Sequence, residues 1–156
     1  MKEFIVLRQD RLDGFGGVLI AVKSVLSPTL SETISYEQEA LFVNVKIGGA
    51  NYKIVCVYRP PSLNSTENEQ FVNFLQERLR NSPNFVLTGD FNYPNIEWLD
   101  HYVNNSYEQK FIDFINELNL TQFFKSPTRE SNILDLCLTS QPNLIKKSPS
   151  ARNFFN

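Results

Sequence analysis

Two helix-period segments alternate with short β-rich runs along this 156-residue chain, and that alternation limits the fold more than any other feature. Gly16-Gly17 opens the run Val18-Leu19-Ile20-Ala21-Val22, which reads as a buried strand. Residues 40–47 and 52–58 are two further β-rich runs, and Gly48-Gly49-Ala50-Asn51 between them reads as a hairpin connection with positive-φ residues available. Pro60-Pro61 stops the second of these runs and leaves Tyr58 and Arg59 at its end. Thr66 and Glu69 then have capping-box spacing, and the helix they open carries Phe71, Phe74, Leu75 and Leu79 on one face. Residues 81–84 close it, and a strand follows at Phe85–Leu87. A second helix is expected from Ser106 with Gln109 at N3, its stripe formed by Phe111, Phe114, Ile115 and Leu118. Residues 133–139 read as a last strand. Strands, helix, strand, helix, strand is the order of a layered α/β sandwich.

The chain is long enough for one domain with a core, or for part of a larger one. Hydrophobic residues make up 42% and charged residues 21%, which excludes a disordered or fibrous chain. Thirteen Phe imply a substantial buried interior. A net charge of -2 removes general basicity as a basis for nucleic-acid binding, so any DNA contact must come from a local patch. Cys56 and Cys137 sit in apolar runs and read as reduced core thiols, which points to a reducing, intracellular compartment, nuclear or cytoplasmic. No run has the length of a membrane span, and Met1-Lys2-Glu3-Phe4 lacks the apolar core of a secretion signal.

The chemistry concentrates at Phe85-Val86-Leu87-Thr88-Gly89-Asp90-Phe91-Asn92. An apolar run ends in glycine, and a carboxylate and a carboxamide follow two residues apart. Asp supplies a base or metal ligand, and Asn donates to a phosphate-like oxygen without carrying charge. Taken alone, the tetrapeptide Gly89-Asp90-Phe91-Asn92 is also a strand-to-turn junction. Its company adds weight. Tyr58 and Arg59 end one strand and Asp135 lies in another, so packing those strands together would bring five polar side chains to one rim.

Six segments of the chain, in order, resemble the endonuclease/exonuclease/phosphatase (DNase I-like) family, in the subtype found in non-LTR, LINE-like retrotransposons. They are Arg8-Gln9-Asp10-Arg11, residues 16–22, Val57-Tyr58-Arg59-Pro60-Pro61, residues 88–98, Pro127-Thr128-Arg129 and residues 133–139. The resemblance implies a four-layered α/β sandwich with its site at one edge of two packed sheets. It also implies Mg²⁺- or Mn²⁺-dependent phosphodiester hydrolysis, which in the retrotransposon case is nicking of DNA, with a reverse transcriptase in the full-length parent. Under it, Asp90 matches the acid that orients or deprotonates the attacking water, and is the one candidate metal ligand. Asn92 matches the amide that contacts the scissile phosphate, and Tyr58 the tyrosine near it. Asp135 matches the acid that orients a catalytic histidine. Arg59, Thr128 and Arg129 are the expected substrate-binding residues.

The family pattern also has an asparagine and a metal-binding glutamate upstream, and a Ser-Asp-His downstream, which this chain does not hold. Its single histidine, His101, reads as a surface loop residue. The expectation is therefore a partial domain over residues 1–140, incomplete at both ends, with 141–156 as a tail towards a missing strand. Losing a metal ligand and a proton-handling group removes several orders of magnitude in rate. A non-catalytic retrotransposon remnant is thus the alternative to a nuclease. A phosphatase of the same superfamily is the third reading. Smaller features have plain readings: Arg8 and Arg11 as a charged loop, Trp98 as a packing anchor, Tyr93-Pro94 as a brace on the loop leaving Asn92.

Overall fold

The computed structural model describes residues 3–12, 14–32, 39–98, 100 and 102–145. Strands β1 (Phe4–Asp10) and β2 (Gly17–Lys23) form a two-stranded antiparallel sheet. The remaining strands are β3 (Thr29–Leu30), β4 (Ala40–Ile47), β5 (Ala50–Tyr58), β6 (Phe85–Asp90), β7 (Thr121–Gln122) and β8 (Asp135–Thr139). They build one six-stranded sheet in the order β3-β4-β5-β6-β8-β7. Helix α1 (Ser65–Leu79) connects β5 to β6, the one parallel pair in that sheet, and α2 (Ser106–Glu117) follows β6. The parallel pairing needs a long crossover, which α1 supplies.

The alternation of side chains sorts the interior into two clusters, one on each face of the large sheet. Ala40, Phe42, Val55, Val57, Phe85, Leu87, Leu136 and Leu138 point to one face. They pack there with Phe71, Val72, Leu75 and Leu79 of α1 and Phe111, Ile112, Phe114 and Ile115 of α2. Leu41, Val43 and Val45 point the other way, against Val18, Ile20 and Val22 of β2. β4 is thus buried on both faces, which is why its run is almost continuously apolar. The described residues make three layers: helices, the six-stranded sheet, and the β1–β2 hairpin. The α/β class stands as expected, and residues 146–156 of the expected tail lie outside the description.

The helix starts differ from the expectation. Asn64, not Thr66, caps α1: its Oδ1 accepts from Glu67 N at 3.0 Å, and Glu67 Oε2 accepts from Asn64 N at 2.8 Å. Asn105 caps α2 in the same way, with Glu108 N donating at 2.9 Å. At α1 the asparagine displaces Thr66 because Asn ranks above Thr as a cap. At α2 Asn and Ser are equal caps, and the helix simply starts one residue earlier than expected, with Ser106 as its first residue. The 48–49 turn matches the reading, with φ of 57° at Gly48 and 85° at Gly49 closing the β4–β5 hairpin. β1 was not anticipated as a strand. Its second half is Arg8-Gln9-Asp10, and its outer face leaves Phe4 and Val6 exposed, so it lacks the pattern of a buried strand.

Cys56 and Cys137 are both free and half-buried, and burial pushes both thiols up. Each is in register with Thr88, so one strand lies between them, a separation of about 9–10 Å from strand spacing. That exceeds the reach of a disulfide.

Asn64→Ala is expected to lower stability by about 1 kcal/mol and Thr66→Ala by less than about 0.5 kcal/mol. Urea unfolding of both variants checks the assignment, and a larger loss for Thr66→Ala would refute it.

Candidate functional site

The register of the large sheet assembles the site. Tyr58 is the Cα partner of Asp90 across the parallel β5–β6 pair, and Asp90 is the partner of Asp135 across β6–β8. Partners in register point to the same face. Tyr58, Asp90 and Asp135 therefore stand in one row at the ends of three adjacent strands, on the face opposite the helices. Glu39 continues the row on the far side, its carbonyl accepting from Tyr58 N at 2.9 Å. Its carboxylate pairs with Arg11 at 2.8 Å, and the Arg11 guanidinium lies 5.0 Å from the centre of the Tyr58 ring. Arg11 is thus tied to the site's tyrosine, where the sequence showed only a charged loop.

Gly89 makes this row possible. A Cβ there would lie 1.8 Å from the Val57 carbonyl oxygen, and its φ of 143° is one that side chains rarely adopt. The backbone of β6 can lie against β5 at this point only because the residue before Asp90 has no side chain.

Beyond Asp90 the chain turns sharply. Phe91 is fully buried, 5.1 Å from the Phe111 ring and 6.3 Å from the Phe71 ring, and its N–H donates to Leu134 O at 2.9 Å. Asn92 has a φ of 49°, a left-handed conformation that asparagine tolerates better than most residues. Its Nδ2 donates to Arg59 O at 2.9 Å, and its backbone N–H donates to Asp90 Oδ1 at 3.2 Å.

The Asp90 carboxyl is held above the usual carboxylate range. Burial is the main cause, and the charge of Asp135 opposite it is the second. The Asn92 N–H and the Arg129 charge act in the other direction. Arg129 is exposed, with its charge near enough to be felt by Asp90. Thr128 is half-buried, and its Oγ1 accepts from both Leu134 N and Asp135 N at 3.0 Å. It fixes the entry to β8 immediately before Asp135.

Arg59 is not on the rim where the sequence reading put it. It is 1% exposed, because its side chain projects to the helix face. There Nε donates to Asn68 Oδ1 at 3.1 Å, and Nη1 to Phe91 O and Asn92 O at 3.3 and 3.2 Å. The guanidinium stands 4.2 Å from the Tyr93 ring centre and 5.1 Å from that of Tyr107. Its neighbour Tyr58 faces the other side of the sheet, as alternation along a strand requires.

Sequence reasoning missed two further members of this buried polar group. Asn68 accepts from Tyr93 OH at 2.6 Å and donates to Tyr107 O at 2.8 Å. Glu108 takes both Asn95 N and Asn95 Nδ2 at 3.3 Å and Asn105 Nδ2 at 3.0 Å. Both are buried residues at stripe positions: Asn68 with Phe71, Val72 and Leu75, and Glu108 with Phe111, Ile112 and Ile115. A polar residue on an apolar helical stripe was the available signal. Trp98 packs against the helix-side core and donates to Ile133 O at 3.3 Å, an anchoring contact. His101 lies outside the described residues.

Among the described residues, no group of three or more His, Cys, Asp or Glu side chains converges on a point where a metal could sit. The Asp90–Asp135 pair is the densest carboxylate feature at the site. No described helix is long and apolar enough to cross a membrane.

The family model described as endonuclease-reverse transcriptase matches residues 52–154, about two thirds of the chain. The chain belongs to that family. The matched region holds Tyr58, Asp90, Asn92 and Asp135 together. None of the curated proteins matches. Among solved structures, the endonuclease domain of TRAS1, a telomere-specific non-LTR retrotransposon, is similar at TM-score 0.67 and 16% identity. That similarity covers 88% of this chain and 65% of that one. The human Nocturnin catalytic domain is similar at TM-score 0.59 and 14% identity, covering 89% of this chain and 61% of that one. An endonuclease/exonuclease/phosphatase family protein from Bacteroides thetaiotaomicron gives 0.57 and 12%, covering 88% and 60%. At these identities the likeness is one of fold, the DNase I-like fold. The chain spans slightly less than two thirds of the length of each.

Two outcomes are expected from the site's packing. Gly89→Ala should cost more than about 3 kcal/mol or abolish folding, since the new Cβ overlaps a strand carbonyl. A melting temperature near that of the parent chain would contradict this. Asp90→Asn should raise the melting temperature at neutral pH by removing one of two like charges. With the native carboxyl titrating higher than its unfolded value of about 3.9, the unfolded chain gives up the proton first. Stability of the parent then falls as pH rises through that window. Melts between pH 3 and 7 should show the variant's advantage shrinking towards acid; an advantage independent of pH would refute the assignment.

Proposed function

We propose that this chain carries part of an endonuclease that hydrolyses phosphodiester bonds in DNA, of the retrotransposon type. The observation that supports it most is the row of Tyr58, Asp90 and Asp135 with Asn92 turned in beside it. In-line attack on a phosphodiester needs an activated water and donors for the charge on the phosphoryl oxygens.

Asp90 is the group to take a proton from the water, and its raised carboxyl is the better base for that burial. Asn92 uses one amide N–H on Arg59 O, and its carboxamide also acts on the Asp90 carboxyl, so it stands beside the base and would turn that second N–H to a phosphoryl oxygen. Tyr58 presents its hydroxyl beside the same phosphate. Asp135 stands as a second carboxylate opposite Asp90. Together the two would hold Mg²⁺ or Mn²⁺, an ion that accepts one or two carboxylates and completes its shell with water and substrate phosphate. The bound ion would supply charge neutralisation at the phosphoryl oxygens. Arg129, exposed near the pair, and Thr128 beside it suit contact with the DNA backbone. A reverse transcriptase domain in the same parent polypeptide fits the family's description.

A second reading, a non-catalytic remnant, draws support from the lack of a three-residue metal cluster among the described residues. The two separate in one assay. Purified chain with Mg²⁺ should nick supercoiled plasmid, with no nicking in EDTA and a loss of about 10²-fold or more in Asp90→Ala. Absence of nicking from a sample shown by circular dichroism to be folded would leave the remnant reading standing. Release of phosphate from an inositol polyphosphate, without plasmid nicking, would favour the phosphatase branch.

A further inference from the structure

We propose that Arg59 is a positioning residue that holds the Asn92 carboxamide in place from inside the fold and makes no contact with substrate. The proposal rests on reading Asn92 as the phosphate-contacting amide.

Four hydrogen bonds join residue 59 to the 90–92 turn. Arg59 N donates to Asp90 O at 2.9 Å, and Nη1 donates to Phe91 O at 3.3 Å and Asn92 O at 3.2 Å. The fourth runs back, from Asn92 Nδ2 to Arg59 O at 2.9 Å. One residue thereby fixes both the backbone of the turn and the direction of its functional side chain. A left-handed, non-glycine residue such as Asn92 persists only where its surroundings over-determine it. Here the two carbonyls turned inward are the restraint, and a single nitrogen bridges them.

The guanidinium is itself held. Nε is clamped to Asn68 Oδ1, which also takes the Tyr93 hydroxyl, and the plane lies close to the Tyr93 and Tyr107 rings. No carboxylate is paired with it in a salt bridge among the described residues, and Nη2 has no hydrogen-bond partner. The charge of buried Glu108 favours the cation without forming an ion pair, and a buried charge held in that way is a poor stabilising device. Its nitrogens Nε and Nη1 are satisfied and Nη2 is not, as expected of a group placed to serve the turn. Lysine has the charge but not the planar fork that reaches Asn68 and the two carbonyls together.

The test is amide NMR of the whole chain. The Asn92 side-chain NH₂ signals are assigned by their loss in Asn92→Asp. In the parent chain one Nδ2 proton should be protected from solvent exchange. Arg59→Lys should leave the methyl signals of Val55 and Leu87 dispersed, while exchange of that Asn92 proton rises about tenfold or more. Unchanged Asn92 exchange in folded Arg59→Lys overturns the proposal. If Arg59→Lys does not fold, Tyr93→Phe, which removes only the hydroxyl bracing Asn68, is read by the same criterion. Where the chain nicks plasmid, Arg59→Lys should lower kcat by about 10²-fold with KM unchanged, since misplacement acts on the transition state. A rise in KM with kcat intact would instead mark substrate contact and overturn it. A chain that nicks nothing would sink the nuclease reading and leave the NMR result to decide the role of Arg59.

Discussion

The parallel pairing of β5 with β6 is the contact on which the site depends. It sets Tyr58 level with Asp90, and it holds only because Gly89 lets the two backbones meet where any side chain would strike the Val57 carbonyl. The antiparallel pairing of β8 then adds Asp135 to the same row. Three residues 32 and 45 positions apart become neighbours through hydrogen-bonded registers, and a slip of one residue in either strand would send its acid to the helix face.

The two faces of the sheet divide the work. The helix side is a tightly filled aromatic and aliphatic core into which Phe91 is driven, so the turn after β6 has a fixed anchor. Arg59, Asn68 and Tyr93 form a polar island inside that core, and each hydrogen-bonds another member or the turn. The opposite side carries the acids. There the half-buried Asp90 carboxyl opposes stability, because burial and the charge of Asp135 disfavour its ionised form. Packing on one face thus holds repulsion in place on the other.

Much of this was legible in the chain. The strand runs, the two amphipathic helices and the hairpin turn follow from local pattern, because alternation and helical spacing report which side of an element is dry, although β2, read as a buried strand, is buried on one face only and leaves Leu19 exposed. The Gly89–Asn92 segment stood out as a candidate because turn formers and residue types suited to catalysis coincide there. Helix starts were misplaced by a residue or two, since Asn64 and Asn105 compete with nearby hydroxyls for the same backbone donors. β1 escaped notice because a strand with one exposed face and a charged end has no strong pattern of its own.

The sequence by itself determined the element types, the family resemblance and the identity of the polar residues at the strand ends. It did so because those properties depend on neighbours close along the chain. The tertiary structure alone decided which of those residues share a face. Tyr58 and Arg59 are adjacent and look equivalent, yet strand alternation sends one to the acids and the other into the core. Asn68 and Glu108 gained their roles in the same way, as polar breaks in apolar stripes whose partners lie on other elements. Such pairings depend on register and crossover, which are long-range and leave no local trace.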